Sequence, residues 1–192
     1  MHPRCVQFMK TLLSILFLLS FNFSSFAQKD SSTKMLEDAV RSLKEASTII
    51  YVDSSMNFYG LVSNASKKGK LDGYFDTTKV SLNLKRSEIR FLDKEFKKKS
   101  AFVWPANMFD NSLMTTYDSV NKYRLKFMKE QKGKKDKRYF HFSRIVYFRN
   151  SSIAVFRLAE MYRYSAGYDY LFVYQKVDSE WKRYMKVYMG AW

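Results

Sequence analysis

The stretch Phe140–Tyr188 constrains the fold of this chain more than any other part. It reads FHFSRIVYFRNSSIAVFRLAEMYRYSAGYDYLFVYQKVDSEWKRYMKVY. Four runs of β-branched and aromatic residues are separated by polar turns at Arg149-Asn150-Ser151-Ser152, Ser165-Ala166-Gly167 and Val177-Asp178-Ser179-Glu180. Short strand-forming runs between turn residues predict an antiparallel meander. In the third run Tyr168, Tyr170, Phe172 and Tyr174 share one face and Leu171 and Val173 the other. A strand apolar on both faces belongs in the middle of a sheet. In the last run Trp181, Met185 and Val187 are expected to point inward, with Lys182, Tyr184, Lys186 and Tyr188 outward.

The chain opens on an address. Arg4 and Lys10 precede the apolar run Thr11–Phe23, and Ser24-Ser25-Phe26-Ala27 supplies small residues before Gln28. This is the pattern of a secretory signal peptide over residues 1–27. The apolar run is too short for a membrane span of about 20 residues. Cys5 lies before that run, so it is not the lipid-bearing cysteine of a lipoprotein. The expected mature protein is exported, periplasmic or extracellular, and residues 28–192 form a single domain.

Composition then excludes chemistry. With Cys5 and His2 removed, the mature chain has no cysteine and His141 as its one histidine. That rules out a thiol nucleophile and a zinc site built on several histidines of one chain. The glycines never fall in a phosphate-loop spacing. No metal or cofactor is expected. Net charge falls from +16 to +14 when Arg4 and Lys10 leave, 32 basic residues standing against 18 acidic. Such a balance suits anionic partners.

Ahead of the meander, Asp30–Ile50 reads as a helix, with Leu36, Ala39, Val40, Leu43, Ala46 and Ile50 as its apolar stripe. Tyr51–Val62 suggests one or two short strands, and Ser63–Gly73 a surface loop carrying a chance glycosylation pattern at Asn64. Val80, Leu82 and Leu84 alternate as a strand. Arg86–Lys99 then reads as a helix capped by Ser87, with Ile89, Leu92 and Phe96 buried. Trp104 is expected to be extended before Pro105. The segment WPANMFDNSLM reads as an ordered connection held by Trp104, Met108 and Phe109. Asp118 or Ser119 is expected to cap a further helix to about Gln131. Between Lys126 and Arg138, seven of thirteen residues are basic, among them Lys134 and Lys135. The segment is a solvated loop or a polyanion patch. The fold class that follows is α+β: a C-terminal antiparallel sheet of four or more strands, with two or three N-terminal helices packed on it.

Several of these pieces, LNLKRSEIRFLDKEF, WPANMFDNSLM, FHFSRIVYFRN and Tyr174-Gln175-Lys176 through Trp181-Lys182 to Trp192, occur in this order over about residues 80–192. In that respect the chain resembles a family of small exported Gram-negative bacterial proteins of unknown function. The resemblance implies a hairpin series in the same order. The chain departs from the family pattern at Ile145, where proline is usual, and at EMYRYSAGYDY, which lacks a Cys-Gly turn. No catalytic residues follow from it.

Three constellations carry the functional expectations. Lys182, Tyr184, Lys186 and Tyr188 form a basic-aromatic stripe, which together with Lys134 and Lys135 is the candidate ligand-binding set. The plainer reading is a lysine-guarded edge strand with cross-strand tyrosine pairs. His141 shares a face with Ser143 and reads more simply as a satisfied polar residue than as a base. Glu160 and Asp169 flank the Ser165 turn, where two carboxylates could serve glycoside hydrolysis, or could pair with Arg157 and Arg163. The leading expectation is a non-catalytic binding protein for an acidic glycan, lipopolysaccharide or another polyanion. The alternatives are a carboxylate-based hydrolase of a cell-wall or glycan substrate and a homodimer that buries the tyrosines.

Overall fold

The computed structural model describes residues 31–43, 48–56, 69–98, 102–122, 138–162 and 167–191. The signal segment 1–27, the Asn64 pattern, Ala46, most of the Ser165 turn and the basic stretch up to Lys137, including Lys134 and Lys135, lie outside them.

The described residues form a mixed α/β structure dominated by one sheet. Its strands are β1 (Ile49–Val52), β2 (Lys70–Phe75), β3 (Thr78–Asn83), β4 (Ser112–Thr115), β5 (Tyr139–Phe142), β6 (Val146–Phe148), β7 (Ile153–Met161), β8 (Gly167–Val177) and β9 (Glu180–Ala191). They are ordered β3-β2-β9-β8-β7-β5-β1-β4, and β6 also pairs with β7. Helix α1 covers residues 31–43 and α2 covers Arg86–Lys97. A short helix occupies 117–122. No helix among the described residues is long and apolar enough to cross a membrane.

The meander is present, with one strand more than its four runs. β7, β8 and β9 pair antiparallel in sequence, and Asp178 and Ser179 turn β8 into β9 with φ of 50° and 68°. Two successive left-handed residues match the right-handed twist of a tight hairpin. The first run splits into β5 and β6 at Ser143. There the Ser143 hydroxyl accepts the Arg157 N–H at 2.8 Å, while Ser143 N–H donates to the Arg157 carbonyl at 2.9 Å. A side-chain oxygen thus takes over one rung of the ladder, and strand geometry lapses until Val146.

Long-range pairing departs from the expectation at three points. The C-terminal strands β5 to β9 pair antiparallel as expected, but the sheet extends into β1, which runs parallel to both β4 and β5. Ile50 belongs to β1 instead of α1, so the helix is shorter than its apolar periodicity suggests. Lys70–Gly73 lies in β2 instead of a loop, recruited by β3 across the register Lys70↔Asn83 to Phe75↔Thr78. The caps also differ. Lys85 occupies the N-cap of α2, and its N–H donates to Glu88 Oε2 at 2.8 Å. Thr116, whose Oγ1 accepts from Ser119 N–H at 3.1 Å, caps the 117–122 helix.

The sheet carries a core on each face. On one, Met35, Leu36, Ala39 and Val40 of α1 pack on Phe140, Phe142, Phe156, Phe172 and Tyr174, joined by Trp104, Met108 and Phe109 of the ordered connection. On the other, Ile89, Leu92 and Phe96 of α2 pack on Val155, Leu171, Val173 and Met185. Burying each large side chain contributes about 2 kcal/mol. β8 supplies both cores, which places the third run at the centre of the sheet.

Candidate binding surfaces

A single bulge reorganises the expected Lys/Tyr stripe. Opposite β8, Val173 pairs with Met185 but Tyr174 pairs with Arg183, so Tyr184 is an extra residue in β9. Strict alternation fails across a bulge. Lys182 and Tyr184 precede the break. Lys182 is exposed opposite Gln175, and Tyr184 packs partly against the α2-side core while its hydroxyl donates to the Ser81 carbonyl at 3.0 Å. Lys186 and Tyr188 follow it and turn to the α1 side. There Lys186 Nζ lies 5.4 Å from the Tyr170 ring centre, and the Tyr188 ring lies 5.9 Å from that of Tyr170. The stripe is thus two pairs on opposite faces. β9 lies between β8 and β2, so the edge-strand reading is corrected, while the cross-strand tyrosine pair Tyr170↔Tyr188 is present.

Lys186 and Tyr188 join a cluster that the stripe did not include. Tyr168 and Tyr188 are 41% and 54% exposed. Tyr168 lies 6.3 Å from both Tyr170 and Tyr188, and its ring meets Tyr162 edge-on at 5.8 Å. Beneath them Glu160 is 3% exposed, and Arg138 Nη1 stands 3.3 Å from its Oε1, near enough for an ion pair though not aligned as a hydrogen bond. Arg138 also sits 5.7 Å from the Tyr162 ring centre. Burial raises the Tyr162 hydroxyl, which hydrogen-bonds Glu160, and pushes Tyr170 up to about 12. Both phenols therefore stay neutral donors at any ordinary pH. Tyr74, paired with Lys186 and half exposed, extends this surface toward β2.

Glu160 and Asp169 do not converge. Glu160 pairs with Tyr168 and Asp169 with Ala159, adjacent positions whose side chains leave opposite faces of the sheet. Asp169 instead holds Arg157, whose Nε donates to Oδ1 at 3.0 Å and whose Nη2 contacts Oδ2. Ion pairing explains both carboxylates, and the paired-carboxylate site of a glycosidase is not formed by them.

His141 Nε2 lies 2.8 Å from the Ser54 carbonyl. A carbonyl can only accept, so this nitrogen carries the proton and Nδ1 the lone pair. Burial lowers its pKa to about 4. Among the described residues no three His, Asp, Glu or Cys side chains gather as a metal site requires.

A cavity of about 640 Å³ opens between α1 and the β8–β9 hairpin, with Asp38, Phe75, Tyr174, Trp181 and Arg183 around it. The Tyr174 hydroxyl donates to Asp38 Oδ2 at 2.5 Å, and Arg183 Nη1 lies 3.7 Å from the same carboxylate. The hydrogen bond and the longer ion pair tie α1 to the hairpin, while Arg183 Nη1 is buried without a hydrogen-bond partner among the described residues. Aromatic spacing alone could have signalled the tyrosine cluster; the cavity, built from residues over a hundred positions apart, leaves no local trace.

No family model matches the chain, and neither a curated protein nor a solved structure matches it.

Proposed function

We propose that this chain is an exported, non-catalytic binding protein for anionic envelope polymers, with acidic glycans and lipopolysaccharide as the ligand class. The observation that carries this reading is the open tyrosine surface of Tyr168, Tyr170 and Tyr188 with Lys186 set against it. Tyrosine faces stack on sugar rings, and a lysine beside them meets a carboxylate or phosphate. The net charge of +14 on the mature chain, 32 basic residues against 18 acidic, raises the local concentration of any polyanion around the whole molecule. The leader-like pattern over residues 1–27 supports export.

Heparin is a suitable anionic probe. The mature protein is expected to bind it at low salt and to release it as salt screens the contact. Tyr188→Ala and Lys186→Glu should each weaken binding about fivefold to tenfold, whereas loss of a diffuse charge elsewhere moves it far less. A protein that ignores heparin at low salt sinks the reading. The competing occupant of the surface is a second copy of the chain, which mass in solution distinguishes.

A further inference from the structure

We infer that a second cleft, on the opposite face of the sheet and lined by Ser54, Tyr117, His141, Arg157 and Asp169, is a binding site for a neutral, hydroxylated ligand such as a sugar. The cleft encloses about 410 Å³, with Met56, Ala159 and Met161 as its apolar surroundings. That volume lies within the range of small-molecule sites. It is assembled from three neighbouring strands. His141 of β5 pairs with Ala159 of β7, which pairs with Asp169 of β8. On the same face α2 covers Leu171 and Val155 farther along, so an apolar stretch under a helix gives way to a polar stretch that is open among the described residues.

Charge balance chooses the ligand class. The Arg157 guanidinium is engaged by the Asp169 carboxylate through two nitrogens, so that pair adds no net charge. His141 is neutral because burial opposes its protonation. The charges that act on His141 are those of Arg157, Asp53 and Asp169, one positive and two negative. On a mature chain of net charge +14, 32 basic residues against 18 acidic, this cleft is therefore not basic, and a polyanion gains nothing by entering it. What it offers is a mixed set of fixed partners. The lone pair on His141 Nδ1 and the oxygens of Asp169 accept, and the Arg157 guanidinium donates. A sugar hydroxyl is donor and acceptor at once, so it can give its proton to His141 Nδ1 or to a remaining lone pair of Asp169 while accepting from a neighbouring donor. Tyr117 is 45% exposed, and its ring lies 5.8 Å from that of His141. It provides the aromatic plane on which the C–H face of a sugar ring rests.

N-acetylglucosamine and methyl glucoside are the probes, titrated into the mature protein by calorimetry and by saturation-transfer NMR. Saturable binding in the millimolar range is expected, unchanged between about 0.05 M and about 0.5 M salt because no net charge is involved. Tyr117→Ala should weaken it about fivefold or more, and because this ring is nearly half exposed the variant is expected to fold, which thermal melting checks. Asp169→Asn should weaken it as well, with thermal melting checking that the Arg157 pair was not needed for folding. Excess heparin should leave the sugar bound, since the two surfaces lie on opposite faces. Absence of saturable binding at about 50 mM sugar, unchanged affinity in Tyr117→Ala, or displacement by heparin would each overturn the inference.

Discussion

His141 shows how one residue couples position to pH. Its imidazole is partly buried, donates to the Ser54 carbonyl and keeps a pKa near 4, against 6.5 in the unfolded chain. Between these values the unfolded chain takes up a proton that the folded one refuses. The unfolded state binds more protons there, so stability rises with pH and falls as pH drops from about 6.5 to about 4. The loss attributable to His141 is expected to be about 1–3 kcal/mol. Glu88 and Glu95 add a later loss. Their carboxyls are held low, first by Arg149 and by Lys98 respectively, and their contribution disappears only at more acidic pH. Denaturant unfolding of the wild type and of His141→Gln across this range separates the two. The variant should lose the slope above pH 4.5 and keep the one below it, and a parallel pair of curves would refute the assignment.

At the scale of elements the informative contact is β2 on β9. Gly73 faces the β9 backbone so closely that a Cβ would stand 2.8 Å from the Lys186 carbonyl oxygen and 3.0 Å from Val187 Cγ2. Backbone cannot swing aside as a flexible side chain does, so Gly73→Ala forces the strands apart. It should cost about 1–3 kcal/mol in thermal or denaturant unfolding, and it should weaken heparin binding too, because Lys186 is displaced with its strand. An unchanged melting temperature would show that β2 yields freely. The same strands mark where sequence stopped being informative. The two-sided character of β8 was legible, since Tyr170, Phe172 and Tyr174 alternate with Leu171 and Val173 in a run long enough to show it. The face of α2 was legible for the same reason. The bulge at Tyr184 was not, because Lys182, Arg183, Tyr184 and Lys186 can each lie on either face and no glycine marks the extra residue. Alternation therefore set Lys186 and Tyr188 beside Lys182 and Tyr184, whereas the structure sets them beside Tyr170. The parallel placement of β1 between β4 and β5 was equally hidden, because it joins Ile49–Val52 to Ser112–Thr115 with no local pattern to announce the pairing. The neutral cleft inherits that difficulty: Ser54 and Tyr117 reach His141 only through those parallel neighbours.

Across the whole molecule, the two cores share a single layer of strands, and this bears on how the protein unfolds. Phe172 and Tyr174 fill the α1 side of β8, while Leu171 and Val173 fill the α2 side. Neither helix has a sheet of its own, so removing packing under one should loosen the strand that the other needs. Leu171 is fully buried, and Leu171→Ala is expected to destabilise by about 2–5 kcal/mol. Trp104 and Trp181 both belong to the α1-side core, so in a Trp192→Phe background tryptophan fluorescence reports the face that this substitution does not touch. If the sheet is one cooperative unit, the fluorescence transition and the far-ultraviolet transition of Leu171→Ala shift together and remain superimposable. Were the α2 side an independent layer, the far-ultraviolet signal would begin to fall while tryptophan fluorescence held at its native value. Coincident curves are the expected result, because β8 lies between β7 and β9 along nearly its whole length and its hydrogen bonds cannot be lost on one face alone.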